Sequence, residues 1–547
     1  MTTPYPSPLL TSYLTHSTSA YHTSRLTSLA PSLLPTLTTW YAANRRQLPW
    51  RGDTMPPDGW DGRGTLDGVA LSKPAPQKTI SSFFAKSTPT PPTTQPTLPP
   101  PPAIPLTPYA VWISETMLQQ TRVAAVIPYF LKWIDSFPTV ADVASATPDQ
   151  INSHWSGLGF YRRARYLHAG AQYIVATHDG AFPTALPALL KIPGVGPYTA
   201  GAIASICYKQ PTGAVDGNVL RVLGRIAGVA ANVKGKYLTH FGATLAATMY
   251  TSEVWPEELD PGAFNQGIME LGATYCATKG TGVDCNDPLT TFYLTTQLGR
   301  DVHEFLAAGG RKETLVEMAQ KCSCEVCNEK GVNGVAVFLE DIFKADETLE
   351  ARQIRSHQSL PLDNPKKGKR DEVQRVGVMR NSEGKMLFGK RGAGLLESQW
   401  EFPAFVSDVR EAKDGGGVDK VFESERGAEY GRDGLDELLG DILAGGASGK
   451  GDRIVFNEDA PMVHVFTHVR HFVVVEIGDV AAGMDEIKWE GGEGAHTEYA
   501  WLGEDELEER GVTSAIKKVL KMVKGEGETG KRQATIGGGG GTKKSKP

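Results

Sequence analysis

Leu190-Lys191-Ile192-Pro193-Gly194-Val195-Gly196-Pro197-Tyr198-Thr199-Ala200 is the stretch on which the fold turns. Two glycines separated by one residue permit a tight turn from one helix into the next, with amide N–H groups facing outward. Pro197 suits the first position of the second helix, whose positive end would join those amides in an anion-binding nest. A hairpin of this kind can hold a nucleic-acid phosphate without reading sequence. A plain glycine-rich turn between packed helices is the alternative.

Twenty residues beyond Gly196 stands Asp216, in Val215-Asp216-Gly217-Asn218-Val219-Leu220-Arg221-Val222. An aspartate there can cap the helix that follows, and a capping position fixes the direction of a carboxylate. Around these two motifs, short Gly/Pro breaks separate helical segments such as Asp216–Ile226 and Pro261–Leu271, and Thr107-Pro108 reads as a helix start. No alternating strand pattern appears between 107 and 275, so this region reads as all-helical.

The 547 residues suffice for two or three domains with connectors. Residues 1–28 read as a flexible start, and 29–51 with 107–275 as one helical domain split by an insertion. The insertion, 52–106, is Pro/Thr-rich and reads as disordered. A cysteine-containing segment (276–330) and a connector (331–372) follow, the connector opening with a helix over Val335–Ile354. From 373 to 525 the pattern turns α+β, with strand candidates Val373–Met379, Lys385–Phe388 and His471–Ile477 and a terminal helix within Glu504–Val523. A basic Gly-rich tail fills 526–547.

The net charge of -6 hides an asymmetry. Residues 1–280 carry 20 Lys+Arg against 15 Asp+Glu, and the remainder 36 against 47. A mildly basic front half permits DNA binding without requiring it. No apolar run approaches the roughly 20 residues of a membrane span, and a soluble monomer is expected. Residues 1–30 are rich in Ser and Thr and lack Asp and Glu, which resembles a mitochondrial transit peptide, although Arg25 is the lone basic residue there.

A glycine hairpin followed at this distance by an aspartate resembles the helix-hairpin-helix superfamily of DNA glycosylases. Lyase-type members carry a nucleophilic lysine two positions after the second glycine; here that position is Tyr198, which cannot form a Schiff base. Three further stretches resemble the MutY family: Trp112-Ile-Ser-Glu115-Thr-Met-Leu-Gln-Gln120-Thr121-Arg122-Val123, Trp155-Ser-Gly-Leu158-Gly-Phe160-Tyr161-Arg162-Arg163-Ala-Arg165 and Phe264-Asn-Gln-Gly-Ile-Met269-Glu270-Leu-Gly272-Ala273. The likeness covers 29–51, 107–276 and, more loosely, 373–520. It implies a multidomain chain: an all-α helix-hairpin-helix glycosylase domain plus an α+β MutT/Nudix-like C-terminal domain.

The chemistry such a family performs explains these residue types. Adenine leaves deoxyribose only after a ring nitrogen is protonated, and the electron-poor sugar then needs a nearby negative charge. The resemblance implies Glu115 as the acid and Asp216 as the group facing the sugar, with Tyr198 and Asn218 orienting them. Arg51 and Glu270 would line the adenine pocket. The base must leave the stack first. Gln120 and Phe160 are implied as wedges, Thr121 and Leu158 as neighbours of the opposite base, and Tyr161, Gly194 and Gly196 as DNA contacts. An endonuclease III-like enzyme on oxidised pyrimidines and a non-catalytic damage binder are the competing readings.

Five of the six cysteines fall in one stretch: Cys276, Cys285, Cys322, Cys324 and Cys327. The family resemblance implies a 4Fe-4S cluster. Cys276, Cys324 and Cys327 are its candidate ligands here, with Cys322 or Cys285 as the fourth. The family's compact spacing is broken by a long insertion, and Asn333 stands where the last ligand belongs. Zinc, or no metal, remains open.

In the C-terminal region, Gly394-Leu-Leu-x-x-x-Trp400-Glu-Phe-Pro403 and Val465-Phe466-Thr467-His468 resemble the MutT-like domain that ends MutY proteins. Glu423–Leu439 lacks the acidic helix signature that holds magnesium in hydrolases of that fold. A binding domain is therefore expected, with Phe466, Thr467 and His468 inspecting 8-oxoguanine. Gln77, Ile80, Phe83 and Phe84 resemble a peptide that docks on the sliding clamp PCNA. Double-stranded DNA with adenine:8-oxoguanine pairs is the implied partner, and the nucleus, with the mitochondrion second, the expected location.

Overall fold

The computed structural model describes residues 4–53, 103–362 apart from Lys234, 370–392, 399–408, 432–443, 454–455, 462–465, 469–480, 485–488 and 496–524 apart from Gly511. The chain forms two units, one of residues 1–146 and 163–366, the other of 147–162 and 367–547. Residues 147–162, expected inside the helical domain, thus belong with the C-terminal unit. There Ser156 Oγ donates to the Val512 carbonyl at 2.7 Å. Among the described residues, no helix is long and apolar enough to cross a membrane.

The first unit is helical. The elements used below are α1 (Pro8–Thr15), α2 (Ala20–Asn44), α3 (Pro108–Leu118), α4 (Pro197–Tyr208), α5 (Gly217–Ala227) and α6 (Pro261–Ala273). The N-terminal segment corrects the expectation of a flexible start. Ser7 caps α1 by accepting from Leu10 N–H at 3.0 Å, and Leu10, Tyr13, Leu14 and Leu26 are fully buried. These side chains join Leu33, Leu37, Val222, Leu223, Phe338, Cys276, Cys322, Cys324 and Cys327 in one core. The Ser/Thr-rich composition concealed this because the buried positions follow a helical period while every other face is polar. The connector helix expected over Val335–Ile354 is two helices, Gly334–Ile342 and Leu349–Ser359. Thr348 caps the second by accepting from Ala351 N–H.

The second unit is built on a mixed sheet. Its main strands are β1 (Arg370–Arg380), β2 (Met386–Arg391), β3 (Ala404–Asp408), β4 (Met462–Val465), β5 (Val469–Asp479) and β6 (His496–Leu502). β1 lies parallel to β5 over its whole length, from Arg370 opposite Val469 to Arg380 opposite Asp479. β3 pairs antiparallel with β1, and β4 with β5, while β6 continues the sheet beyond β2. Alternation sorts the side chains into two cores. Val376, Val378, Phe388, Val473 and Val475 pack with Ile516 and Val519, whereas Met379, Leu387 and Tyr499 pack with Leu435, Leu439 and Ile442. The terminal helix expected within Glu504–Val523 is two, Glu504–Arg510 and Ser514–Val523, the latter capped by Thr513.

Candidate active site

The glycine hairpin closes as its residue types require. Ile192 N–H donates to Leu189 O and Val195 N–H to Ile192 O, which turns the chain into α4 with Gly196 as its cap and Pro197 at its first position. Gly194 has φ +81°, and a β-carbon there would stand 2.5 Å from Tyr166 Cβ, so only glycine fits. Ile192 and Val195 anchor the turn in the core, while Gly194 between them is exposed.

Helix α3 brings Glu115 into the interior. Thr107 caps it, accepting from Ala110 N–H at 3.1 Å, and every residue from Tyr109 to Met117 is buried. Arg163, within the Arg162-Arg163-x-Arg165 run, is 7% exposed, and its guanidinium donates to the carbonyls of Thr116, Met117 and Gln119 at the end of α3. It thereby satisfies the open carbonyls of the helix that carries Glu115. Burial pulls its pKa down to about 10.

Tyr198, in the first turn of α4, donates its hydroxyl to Glu115 Oε2 at 2.5 Å. Burial pushes Glu115 up to about 7; the Tyr198 hydrogen bond and Arg51 pull it down, and the Asp216 charge pushes it further up. The two carboxylates are thus within electrostatic reach of each other. Asp216 caps α5: its Oδ1 accepts from Asn218 N–H at 2.9 Å and Val219 N–H at 2.8 Å. Its Oδ2 accepts from the Asn218 side chain at 2.8 Å. Burial raises its pKa, while these donors and Arg221 act in the opposite direction.

Glu270, on α6, is 3% exposed and pairs with two arginines. Arg51 Nη2 lies 3.0 Å from its Oε2, and Arg46 Nε bonds its other oxygen. Burial would raise this carboxylate, but the arginines outweigh it and hold the pKa below its ordinary value. Glu115 and Glu270 are therefore displaced in opposite directions, the one by burial and the other by its two arginines.

Of the DNA-contact candidates, Gln120 and Phe160 share an unusual backbone, with φ +56° and +50°. Left-handed geometry disfavours a side-chain-bearing residue and is found at functional positions. Gln120 is exposed and Phe160 is 42% exposed. Thr121 is half-buried. Leu158 is buried, and Tyr161, expected with Phe160 on the surface, is 3% exposed with its hydroxyl accepting from Gly157 N–H. The pair is thus split: one aromatic presents outward and the other packs. Phe466, Thr467 and His468, like Gln77, Ile80, Phe83 and Phe84, lie outside the described residues.

Two residues that the sequence reading missed complete the site. Arg46 is the second cation on Glu270. Arg221 donates to Asn218 Oδ1 at 2.6 Å, Gly272 O at 2.7 Å and Cys276 O at 2.9 Å, holding the partner of Asp216 in place. A helix-period reading from Asp216 would have put Arg221 one turn beyond Asn218 and so flagged it.

The cysteines correct the expected ligand set. Cys276 is buried beside Arg225, whose Nη1 lies 3.4 Å from its sulfur, and beside His357 at 3.7 Å. Cys285 is exposed. Cys324 and Cys327 instead meet His16 and His22, and this possible metal-binding group has all its ligand atoms within 4.8 Å of one another. Two thiols with two imidazoles, so close together, do not fit a four-iron cluster, which takes four thiolates, each on its own iron.

Residues 113–242 match the model of the HhH-GPD superfamily base excision DNA repair proteins. The chain carries a helix-hairpin-helix base-excision repair domain. The chain is 47% identical over 172 residues to the adenine DNA glycosylase of Rattus norvegicus, covering 31% of this chain and 32% of that protein. It is 44% identical over 174 residues to the adenine DNA glycosylase of Schizosaccharomyces pombe, 31% of this chain and 36% of that one. A longer match, 28% identical over 526 residues, joins 93% of this chain to 77% of the human adenine DNA glycosylase. At the higher identities, then, the chain spans about a third of the length of the curated relatives it matches.

Proposed function

We propose that this chain is a monofunctional DNA glycosylase that hydrolyses the N-glycosidic bond of adenine paired with 8-oxoguanine or guanine. The observation that carries the reading is the buried Glu115 carboxyl, held by Tyr198 and pushed up to about 7, with Asp216 close enough to act on it. A carboxyl of that pKa is protonated often enough at neutral pH to donate to N7 of an extruded adenine. Asp216, fixed by Asn218 and two backbone amides, faces the sugar as positive charge develops there. Water then completes the hydrolysis. Tyr198 in place of a lysine leaves no amine for a Schiff base, so strand cleavage does not accompany base release.

The remaining parts of the reading rest on motif likeness and local geometry. Duplex phosphates meet the hairpin amides at Gly194 and Gly196. Gln120 and Phe160 enter the stack, and Phe466-Thr467-His468 reads the opposite 8-oxoguanine. The segment from Gln77 to Phe84 docks on the sliding clamp PCNA, which places the enzyme at nuclear DNA. A duplex with one adenine:8-oxoguanine pair tests the core of this. Base release followed by nicking only in alkali is the expected result; spontaneous nicking would mean a lyase, and binding without release a damage sensor.

A further inference from the structure

The short loop that carries Phe160 has positive φ at three of four successive positions: Gly157 at +103°, Gly159 at +75° and Phe160 at +50°. A residue with a side chain keeps such a backbone only where its surroundings over-determine it. Two devices do so here. The first is local: Trp155, fully buried at the end of the helix Pro148–Trp155, donates its indole Nε1–H to the Gly159 carbonyl at 2.9 Å. The second comes from about 350 residues away. Ser156 Oγ and the Tyr161 hydroxyl, one on each side of the loop, both donate to the carbonyl of Val512, at 2.7 and 3.4 Å.

That carbonyl is itself fixed. Val512 is 5% exposed, packs in the sheet's core with Phe388, Trp400 and Phe402, and pairs with Trp400 in a parallel bridge. The next residue, Thr513, caps the helix Ser514–Val523. Ser156 and Tyr161 are buried as well, so water competes little for these bonds. A further link lies at the start of the helix that leads into the loop, where Lys390 Nζ, on β2, stands 3.6 Å from Asp149 Oδ1. All of these residues belong to the second unit. The loop is thus tied down at both ends while Phe160, between them, is exposed.

We infer that Ser156 and Tyr161 are positioning residues: through the Val512 carbonyl, the C-terminal unit sets the loop conformation in which Phe160 enters the duplex. The unit thereby takes part in extruding the adenine as well as in inspecting the opposite base. This rests on the reading of Phe160 as a wedge. Without the two hydroxyls, Gly157 and Gly159 would be free to relax, since glycine takes either hand of backbone at little cost, and the buried Val512 carbonyl would lose both donors.

The test uses the full chain and a duplex with 2-aminopurine opposite 8-oxoguanine, whose fluorescence rises as the base leaves the stack, alongside single-turnover release from the adenine duplex. Ser156→Ala with Tyr161→Phe, which removes only two oxygens, should slow the fluorescence rise about tenfold, and adenine release with it. Tyr161→Phe alone should slow both about threefold. Duplex affinity should change by less than about threefold, and the pH at which release falls should stay where it is, because the hydroxyls act on the loop and not on Glu115. Extrusion at the unaltered rate in the double variant, or slowed release with normal extrusion, would overturn the assignment. An unaltered chain that extrudes the base but releases no adenine would sink the glycosylase reading and leave the tether to be judged on fluorescence alone. A chain that never extrudes the base would overturn the wedge and this assignment with it.

Discussion

The carboxylate pair, Glu115 buried and Asp216 half-buried, and the buried histidine–cysteine group lie in the same helical unit, yet they are assembled in opposite ways. Each carboxylate starts from a local helix frame, although Glu115 also takes the Tyr198 hydroxyl from 83 residues away. Asp216 is held by the helix it caps, and Glu115 sits in a helix capped at Thr107. In the histidine–cysteine group the imidazoles lie about three hundred residues from the thiols, and α1, α2 and the cysteine loop meet in the core. One site is specified by short motifs and the other by packing at long range. The first should therefore fail through its chemistry when altered, and the second through its folding.

Changing the acids should give the largest effect. Glu115→Gln and Asp216→Asn should each slow single-turnover adenine release by about 10²- to 10⁴-fold while leaving duplex binding in place. Near-normal release by either variant would mean that the charged pair is not the reacting one.

The contrast explains what could be read from the sequence. The hairpin, the capping Asp216 and the Tyr198 substitution lie in runs of a dozen residues, where turn chemistry and helix period speak directly. Cys276 was legible as a cysteine but not as the neighbour of Arg225 and His357, because His357 lies 81 residues away. His16 and His22 carried no flag in a Ser/Thr-rich start that looked too polar to fold. Three strands of the second unit, β1, β2 and β5, were placed within a few residues, while β3, β4 and β6 were not read, and the parallel pairing of β1 with β5 is a long-range choice that alternation does not encode.

Glu270 stands between the two extremes, a local residue with distant partners. Glu270→Gln would leave the Arg46 and Arg51 charges in a largely buried place with one partner fewer, lowering unfolding free energy by about 3–5 kcal/mol. Its depressed pKa means that its stabilisation is present above the ordinary carboxylate range and is lost as pH falls through the folded value. Unfolding curves at pH 7 and in acid would check both, and the variant should narrow the gap between them.

Gly272 tests how tightly the local frame is held. A β-carbon there would stand 2.7 Å from Asn218 Cβ and 3.0 Å from its carbonyl oxygen. Gly272→Ala should cost about 1–3 kcal/mol and displace Asn218 from Asp216, with base release reduced in the folded fraction.

The pH dependence of single-turnover adenine release, compared between the unaltered chain and Glu115→Gln, reaches the central claim most directly. The acid must be protonated to act, so the rate should fall as pH rises through about 7, and the glutamine variant should be slow with that limb gone. A glutamine variant that keeps both the rate and the same falling limb would show that another group supplies the proton.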